Sequence, residues 1–197
     1  MCTFPTSRHT NSMPNWCFNQ ITLKGHPITL DEIMGTLSFP VDPADPAESN
    51  SLLSSYVPMP KVLNSSATSV PYLPSQIRAA SPDDAHQYRL ANRRYHARRA
   101  RAVKLTGSPD WYTWALENWS TKWPDQILNI KRTPRTVKIQ TLTAWSPPLE
   151  ALVSLSHTHH LQITCDWDEP GCAGTGRIRA AYGELTQDSA YHPRTRF

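Results

Sequence analysis

No window of the sequence approaches the roughly 18 consecutive apolar residues that a membrane helix needs. Mean hydropathy is −0.51, so a membrane span is excluded at this stage. Met1 to Ser12 holds one Arg and no apolar run. A secretory signal peptide is therefore not expected, and the chain reads as intracellular. None of the four cysteines, Cys2, Cys17, Cys165 and Cys172, forms a C-x-x-C pair. Free thiols in a reducing cytosol are expected, without a disulfide framework.

Catalytic signatures are missing too. Cys17 and Cys165 sit at alternating strand positions, where inert buried thiols belong, and no Ser/His/Asp arrangement has an exposed elbow. Gly174-Thr175-Gly176 is too short for a phosphate loop and lacks the helix that should follow. It reads as a loop or bulge. His157, His159 and His160 stand near Cys165, Asp166, Asp168 and Cys172. Their spacing gives no compact ligand pair, and a polar turn after a helix explains them equally well. No catalytic residue, metal site or cofactor is expected.

One absence is local. From Arg89 to Lys104 there is no acid, while Arg89, Arg93, Arg94, Arg98, Arg99, Arg101 and Lys104 supply seven cations. The other 13 Lys and Arg are outnumbered by 16 Asp and Glu. The net +4 therefore lies in one stretch and the rest of the chain sums to −3. A solvated helix face usually mixes signs, so an uninterrupted run points to a partner surface.

What is present fits one core with an insertion, since 197 residues split into two cores would leave each marginal. Trp16 to Gly25 reads as a strand, with Cys17, Gln20, Thr22 and Lys24 interleaved with Phe18, Ile21 and Leu23. Thr29 and Glu32 have the form of a capping box opening a short helix that ends at Phe39-Pro40. Pro40 to Pro74 shifts to Pro, Ser, Ala and Asn and reads as extended and partly ordered.

Ser81-Pro82-Asp83-Asp84 then begins a helix. Ser is the cap, Pro takes the first position and two acids meet the dipole. With Gly107 as its stop, the helix spans about 82 to 106, some 35 Å at about 1.5 Å per residue. Its apolar content past Leu90 is thin, so much of it should face solvent or a partner. Arg94, Arg98 and Arg101 fall on one face, and Arg89, Arg93 and Arg99 spread charge around it. Such a rod matches a phosphate backbone, or the acidic groove of a protein that itself binds nucleic acid.

Further on, Ile127 to Ile130 and Thr136 to Thr143 read as strands, the second with a slip in phase before Leu142 and Ala144. Pro147-Pro148, capped by Ser146, opens another helix. Leu161, Ile163 and Cys165 alternate in a strand, Asp168-Glu169-Pro170-Gly171 turns, and Arg177 to Leu185 makes a last strand before a loose tail from Thr186. The resulting order is the βαββαβ of an α+β ferredoxin-like sandwich. It has an antiparallel sheet with helices on one face, an extra C-terminal strand and a long helical insertion. The expected division is a loose segment 1–12, a ferredoxin-like domain from 13–39 and 108–186, an insertion 40–107 and a tail 187–197.

Met13-Pro14-Asn15-Trp16-Cys17-Phe18-Asn19 is similar to the M-P-N-W-C-x-N opening of the YubB family. Leu116-Glu117-Asn118-Trp119-Ser120-Thr121-Lys122-Trp123, Thr143-Ala144-Trp145-Ser146-Pro147-Pro148 and Trp167-Asp168-Glu169-Pro170-Gly171 resemble its later motifs. The resemblance implies a ferredoxin-like fold, a phage or plasmid setting in a bacterial cytoplasm, and Met13 as the natural start. It implies no reaction.

The tryptophans read mainly as core anchors. Polar residues among them could cap neighbouring backbone or line a pocket, with Asn15, Asn118, Lys122, Trp123 and Asp168 as the candidate set. The leading expectation is a non-catalytic, anti-CRISPR-like binding protein whose Arg89–Lys104 helix contacts a host protein or ribonucleoprotein effector. The alternatives are a direct DNA- or RNA-binding protein, with Trp111, Trp119 or Trp123 stacking bases, and a nucleotide-processing enzyme using Lys122, Asn118 and Asp168.

Overall fold

A computed structural model describes residues 15–37, 51–64, 66–171 and 174–191. The expected loose segment 1–12, Met13, the stretch from 38 to 50, and the end of the tail lie outside the described residues. The elements are β1 Trp16–Lys24, α1 Pro27–Thr36, α2 Leu52–Tyr56, α3 Pro74–Ala79, α4 Pro82–Thr106, α5 Trp111–Trp119, β2 Gln126–Thr133, β3 Thr136–Ala144, α6 Leu149–Thr158, β4 Gln162–Glu169, β5 Gly174–Ala181 and β6 Glu184–Tyr191. They fall into two compact units. One comprises the chain up to Pro58 and from Asn118 onward, the other Met59–Glu117.

In the first unit one antiparallel sheet runs in the order β2-β3-β1-β4-β5-β6. Its first four strands have the ferredoxin-like order, and the helical connections of a split βαβ unit explain it: β1 and β2 flank β3, and β3 and β4 flank β1. The expected extra strand is present as β5, and a sixth follows.

Strict alternation assigns the sheet faces. On β1 the side chains of Cys17, Asn19, Ile21 and Leu23 are buried, whereas Phe18 is 51% exposed. Parity along the strand therefore overrides apolarity, and Phe18 lies on the face opposite to Ile21 and Leu23. β3 keeps its phase, burying Val137, Ile139, Thr141 and Thr143. The expected slip lies instead in β2, where the register shifts between Ile127 and Asn129 around Leu128. The core joins these inner residues to Leu30 and Ile33 of α1, Leu152 and Leu155 of α6, and Ile163 and Ile178.

Several expectations at element ends are corrected. α1 starts a turn before Thr29, because Pro27 takes the first helical position and His26 Nδ1 accepts from the Ile28 N–H at 3.4 Å. The opening of α6 is not capped by Ser146, whose hydroxyl donates to the Ser120 carbonyl. Within the Pro- and Ser-rich stretch, α2 and a 3-10 turn at Lys61–Leu63 are regular. Ser51 makes α2 possible by accepting from the Ser54 N–H at 3.0 Å.

Gly174 and Gly176 belong to β5 itself, not to a loop. The single strand expected over Arg177–Leu185 is a hairpin turning at Tyr182-Gly183, and the stretch from Thr186 to Tyr191 pairs with β5 instead of hanging loose. Among the described residues no helix is long and apolar enough to cross a membrane.

Candidate anion-binding helix and groove

In the second unit α4 spans the expected 25 residues, for the expected reasons. Ser81 Oγ accepts from the Asp84 N–H at 3.2 Å, Pro82 opens the helix, Asp83 and Asp84 occupy its first turn, and Gly107 closes it at φ 82°. A stripe at alternating spacings of three and four faces inward: Ala85, Tyr88, Asn92, Tyr95, Arg99, Ala102 and Thr106 are all buried or half-buried. The larger aliphatic residues near the end of α4, Val103 and Leu105, are exposed. The stripe escapes an apolarity count because it is built from Ala, Tyr and bonded polar side chains.

Local contacts hold the preceding chain against this stripe. Tyr72 stacks on Tyr88 with ring centroids 3.9 Å apart, and Asn92 Nδ2 donates to the Tyr72 carbonyl at 2.8 Å. The Tyr72 N–H returns a bond to Asn92 Oδ1 at 3.2 Å. Ser66 Oγ accepts from the Trp111 N–H at 2.8 Å and donates to the Leu63 carbonyl at 2.7 Å. Between this segment and the helix lies a concavity of about 550 Å³. α4 lines it with Arg94, Arg98 and Arg101 beside Ala91, Tyr95 and Ala102; Val62, Ala67, Pro71 and Pro109 supply an apolar wall.

The seven cations divide by environment. Arg89, Arg93, Arg94, Arg98, Arg101 and Lys104 are exposed, and none has an ion-pair partner among the described residues. Arg99 differs. It is half-buried, its guanidinium pairs with Asp110 and it lies 5.5 Å from the Tyr95 ring. Asp110 is buried and accepts from the Thr113 N–H at 2.9 Å at the start of α5. Burial alone would raise its pKa, but the Thr113 N–H and Arg99 outweigh that and hold the carboxyl below its ordinary range. Arg99 is thus a structural residue of the unit.

The candidate pocket residues are not gathered into one concavity. Lys122 Nζ lies 4.4 Å from the Trp123 ring and 4.9 Å from that of Trp145, a cation held between two aromatic faces. Trp145 was not singled out for this role, because only the return of β3 brings it to Trp123. Asn15 joins the same end through its carbonyl, which accepts from the Trp145 N–H at 2.9 Å, and Asn118 is half-buried and already engaged. Asp168 instead lines a concavity of about 390 Å³ on the exposed sheet face with Phe18, Gln20, Leu128, Gln140 and Asp166. Trp114, Trp119 and Trp167 are buried, and Trp119 Nε1 donates to the Val57 carbonyl at 2.8 Å.

Among the described residues, the thiols of Cys17 and Cys165 are unsuited to nucleophilic chemistry. Burial pushes Cys17 up to about 12, and it raises Cys165 as well. His159 packs edge-on against Tyr56 with ring centroids 5.1 Å apart. No group of three metal-ligating side chains occurs among the described residues.

Comparison with known proteins bears on the fold. Residues 118–193 match the family model described as the ferredoxin-like domain in Api92-like protein. The crystal structure of a protein Api92 from Yersinia pseudotuberculosis is similar with a TM-score of 0.50 and 14% sequence identity, over 91% of this chain and 98% of that one. No curated protein matches the sequence. In architecture the chain is ferredoxin-like, and its C-terminal part is similar to the ferredoxin-like domain of Api92-like proteins.

Proposed function

We propose that the chain is a non-catalytic binding protein and that α4 is the surface with which it holds a nucleic-acid backbone. The observation that supports this most is the convergence of Arg94, Arg98 and Arg101 on one groove with no acid among its lining residues. Guanidinium forks match phosphate oxygens in pairs, and unpaired cations can release counterions from a polyanion. A cationic rod is a poor match for a channel built to hold nucleic acid, which is itself cationic. It suits the nucleic acid, whether free or displayed by a ribonucleoprotein.

The resemblance to the YubB family supplies a setting for this reading, a phage or plasmid protein acting in the cytoplasm of a bacterial host. In that setting the nucleic acid would be the one presented by a defence effector, and the protein would act as an anti-CRISPR-like inhibitor.

Affinity capture from a host lysate, with and without nuclease, tests the proposal. A partner retained by the wild type, released by nuclease and lost when Arg94, Arg98 and Arg101 are changed to Glu supports it. A nuclease-resistant protein partner lost in the same variant supports instead an acidic protein surface as the target. Capture unchanged by the substitutions overturns both.

A further inference from the structure

The first unit has a second concavity, of about 550 Å³, lined by Lys24, Gly25, His26, Pro27, Arg135, His160, Gln162 and Tyr182. These residues come from the end of β1, the start of α1, the β2–β3 turn, the end of α6, the start of β4 and the β5–β6 hairpin. Its lining holds two permanent cations and two imidazoles but no carboxylate. The nearby Asp31 is engaged by Arg132, Nη2 to Oδ1 at 2.8 Å.

We propose that this concavity binds a phosphate group, as the inorganic ion or as a phosphomonoester. Lys24 and Arg135 supply charge. His26 Nδ1 accepts the Ile28 N–H, which leaves Nε2 to carry the imidazole proton as a donor. Tyr182 Oη accepts from Gln162 Nε2 at 3.0 Å, so its own proton is available to the anion. Gly25 lets the β1–α1 turn lie close to the chain entering β4: a Cβ there would lie 2.5 Å from Leu161 Cδ2, so a larger residue would require that buried side chain to shift.

A second observation points the same way. His160 has φ 51° and Tyr182 has φ 55°, left-handed conformations that cost an ordinary side chain about 1 kcal/mol or more. His160 follows the end of α6, where Gly or Asn usually sits. Tyr182 and Gly183, both at positive φ between the paired Ala181 and Glu184, form a two-residue turn that favours Asn-Gly. Two positions where a cheaper residue is standard hold a His and a Tyr, and both line the same concavity. Ser120 and Trp145 share the left-handed conformation away from this lining, so the strain supports the site through its coincidence with the cations and imidazoles there.

The test is titration of the full ¹⁵N-labelled chain at constant ionic strength with inorganic phosphate in one arm and adenosine 5′-monophosphate in another. Saturable shifts at Gly25, Arg135 and Tyr182 near about millimolar ligand are expected. Saturation by both ligands identifies the phosphate alone as the ligand; saturation by the nucleotide only identifies a phosphomonoester. Lys24→Gln with Arg135→Gln should weaken binding at least about tenfold. Tyr182→Asn with His160→Gly should also weaken it while raising the melting temperature, an opposition that loss of folding cannot produce.

Non-saturating shifts, or binding unchanged by both pairs, would overturn the proposal. So would shifts confined to residues 89–104 and lost on changing Arg94, Arg98 and Arg101 to Glu, which would assign the phosphate to α4. Because these outcomes differ, this site and the α4 groove stand or fall separately.

Discussion

Arg98 and Arg99 both line the groove of α4, but Arg99 is paired with Asp110, while Arg98 has no ion-pair partner among the described residues. One residue of sequence thus separates a cation that holds the second unit together from one that is free to meet a partner. The helix rotates about 100° per residue, so a basic run cannot be functionally uniform.

Arg99→Gln should therefore lower stability by about 3 kcal/mol, because it strands a buried carboxylate. Its effect on the salt dependence of oligonucleotide binding should be small. Arg98→Gln should do the reverse. Urea unfolding and fluorescence anisotropy on the two variants check this.

The pH dependence of Asp110 has a definite sign. Its folded-state pKa is depressed, so its stabilisation is present above the ordinary carboxylate value near about 4 and is lost as pH falls through the folded value. Asp110→Asn should flatten stability against pH in the acid range, measured by urea midpoints between neutral pH and about pH 3.

Asp125 should behave oppositely. Burial raises its pKa, although Leu53 N–H at 2.9 Å and Ser51 Oγ at 2.5 Å donate to Oδ1, and Oδ2 is buried without a partner. Its contribution is present at low pH and is lost as pH rises through the folded value. Asp125→Asn, which keeps an acceptor and removes the charge, should be neutral or stabilising by about 1 kcal/mol at neutral pH. Its advantage should shrink toward pH 4 in the same titration.

Gly176→Ala tests the extended edge of the sheet. A Cβ would meet the Ser189 carbonyl at 2.2 Å and the Trp167 ring at 2.6 Å, so β6 or the tryptophan must move. A loss of about 2–3 kcal/mol is expected by thermal unfolding.

What could be read from the sequence followed the range of the interaction. The bounds of α4 were legible because Ser81, Pro82, Asp83, Asp84 and Gly107 act on adjacent backbone. The shared face of Arg94, Arg98 and Arg101 followed from helical spacing. The inward turn of Arg99 was not, since its partner arrives only after the chain reverses past Gly107. The hairpin at Tyr182-Gly183 was hidden by a tyrosine where Asn is usual, and the side of Phe18 was misjudged by ranking apolarity above parity. The concavity around Lys24 and Arg135 had no local signal, because its residues meet only through the sheet register.

Whether α4 meets a polyanion through its unpaired arginines is decided by the salt dependence of oligonucleotide affinity. If each of Arg94, Arg98 and Arg101 displaces about one counterion, changing all three to Gln should reduce the slope of log K against log salt by about 2–3. The Arg99→Gln protein should keep the wild-type slope. A slope unchanged by the triple substitution, in a protein whose unfolding midpoint is also unchanged, would rule out α4 as the polyanion-binding surface.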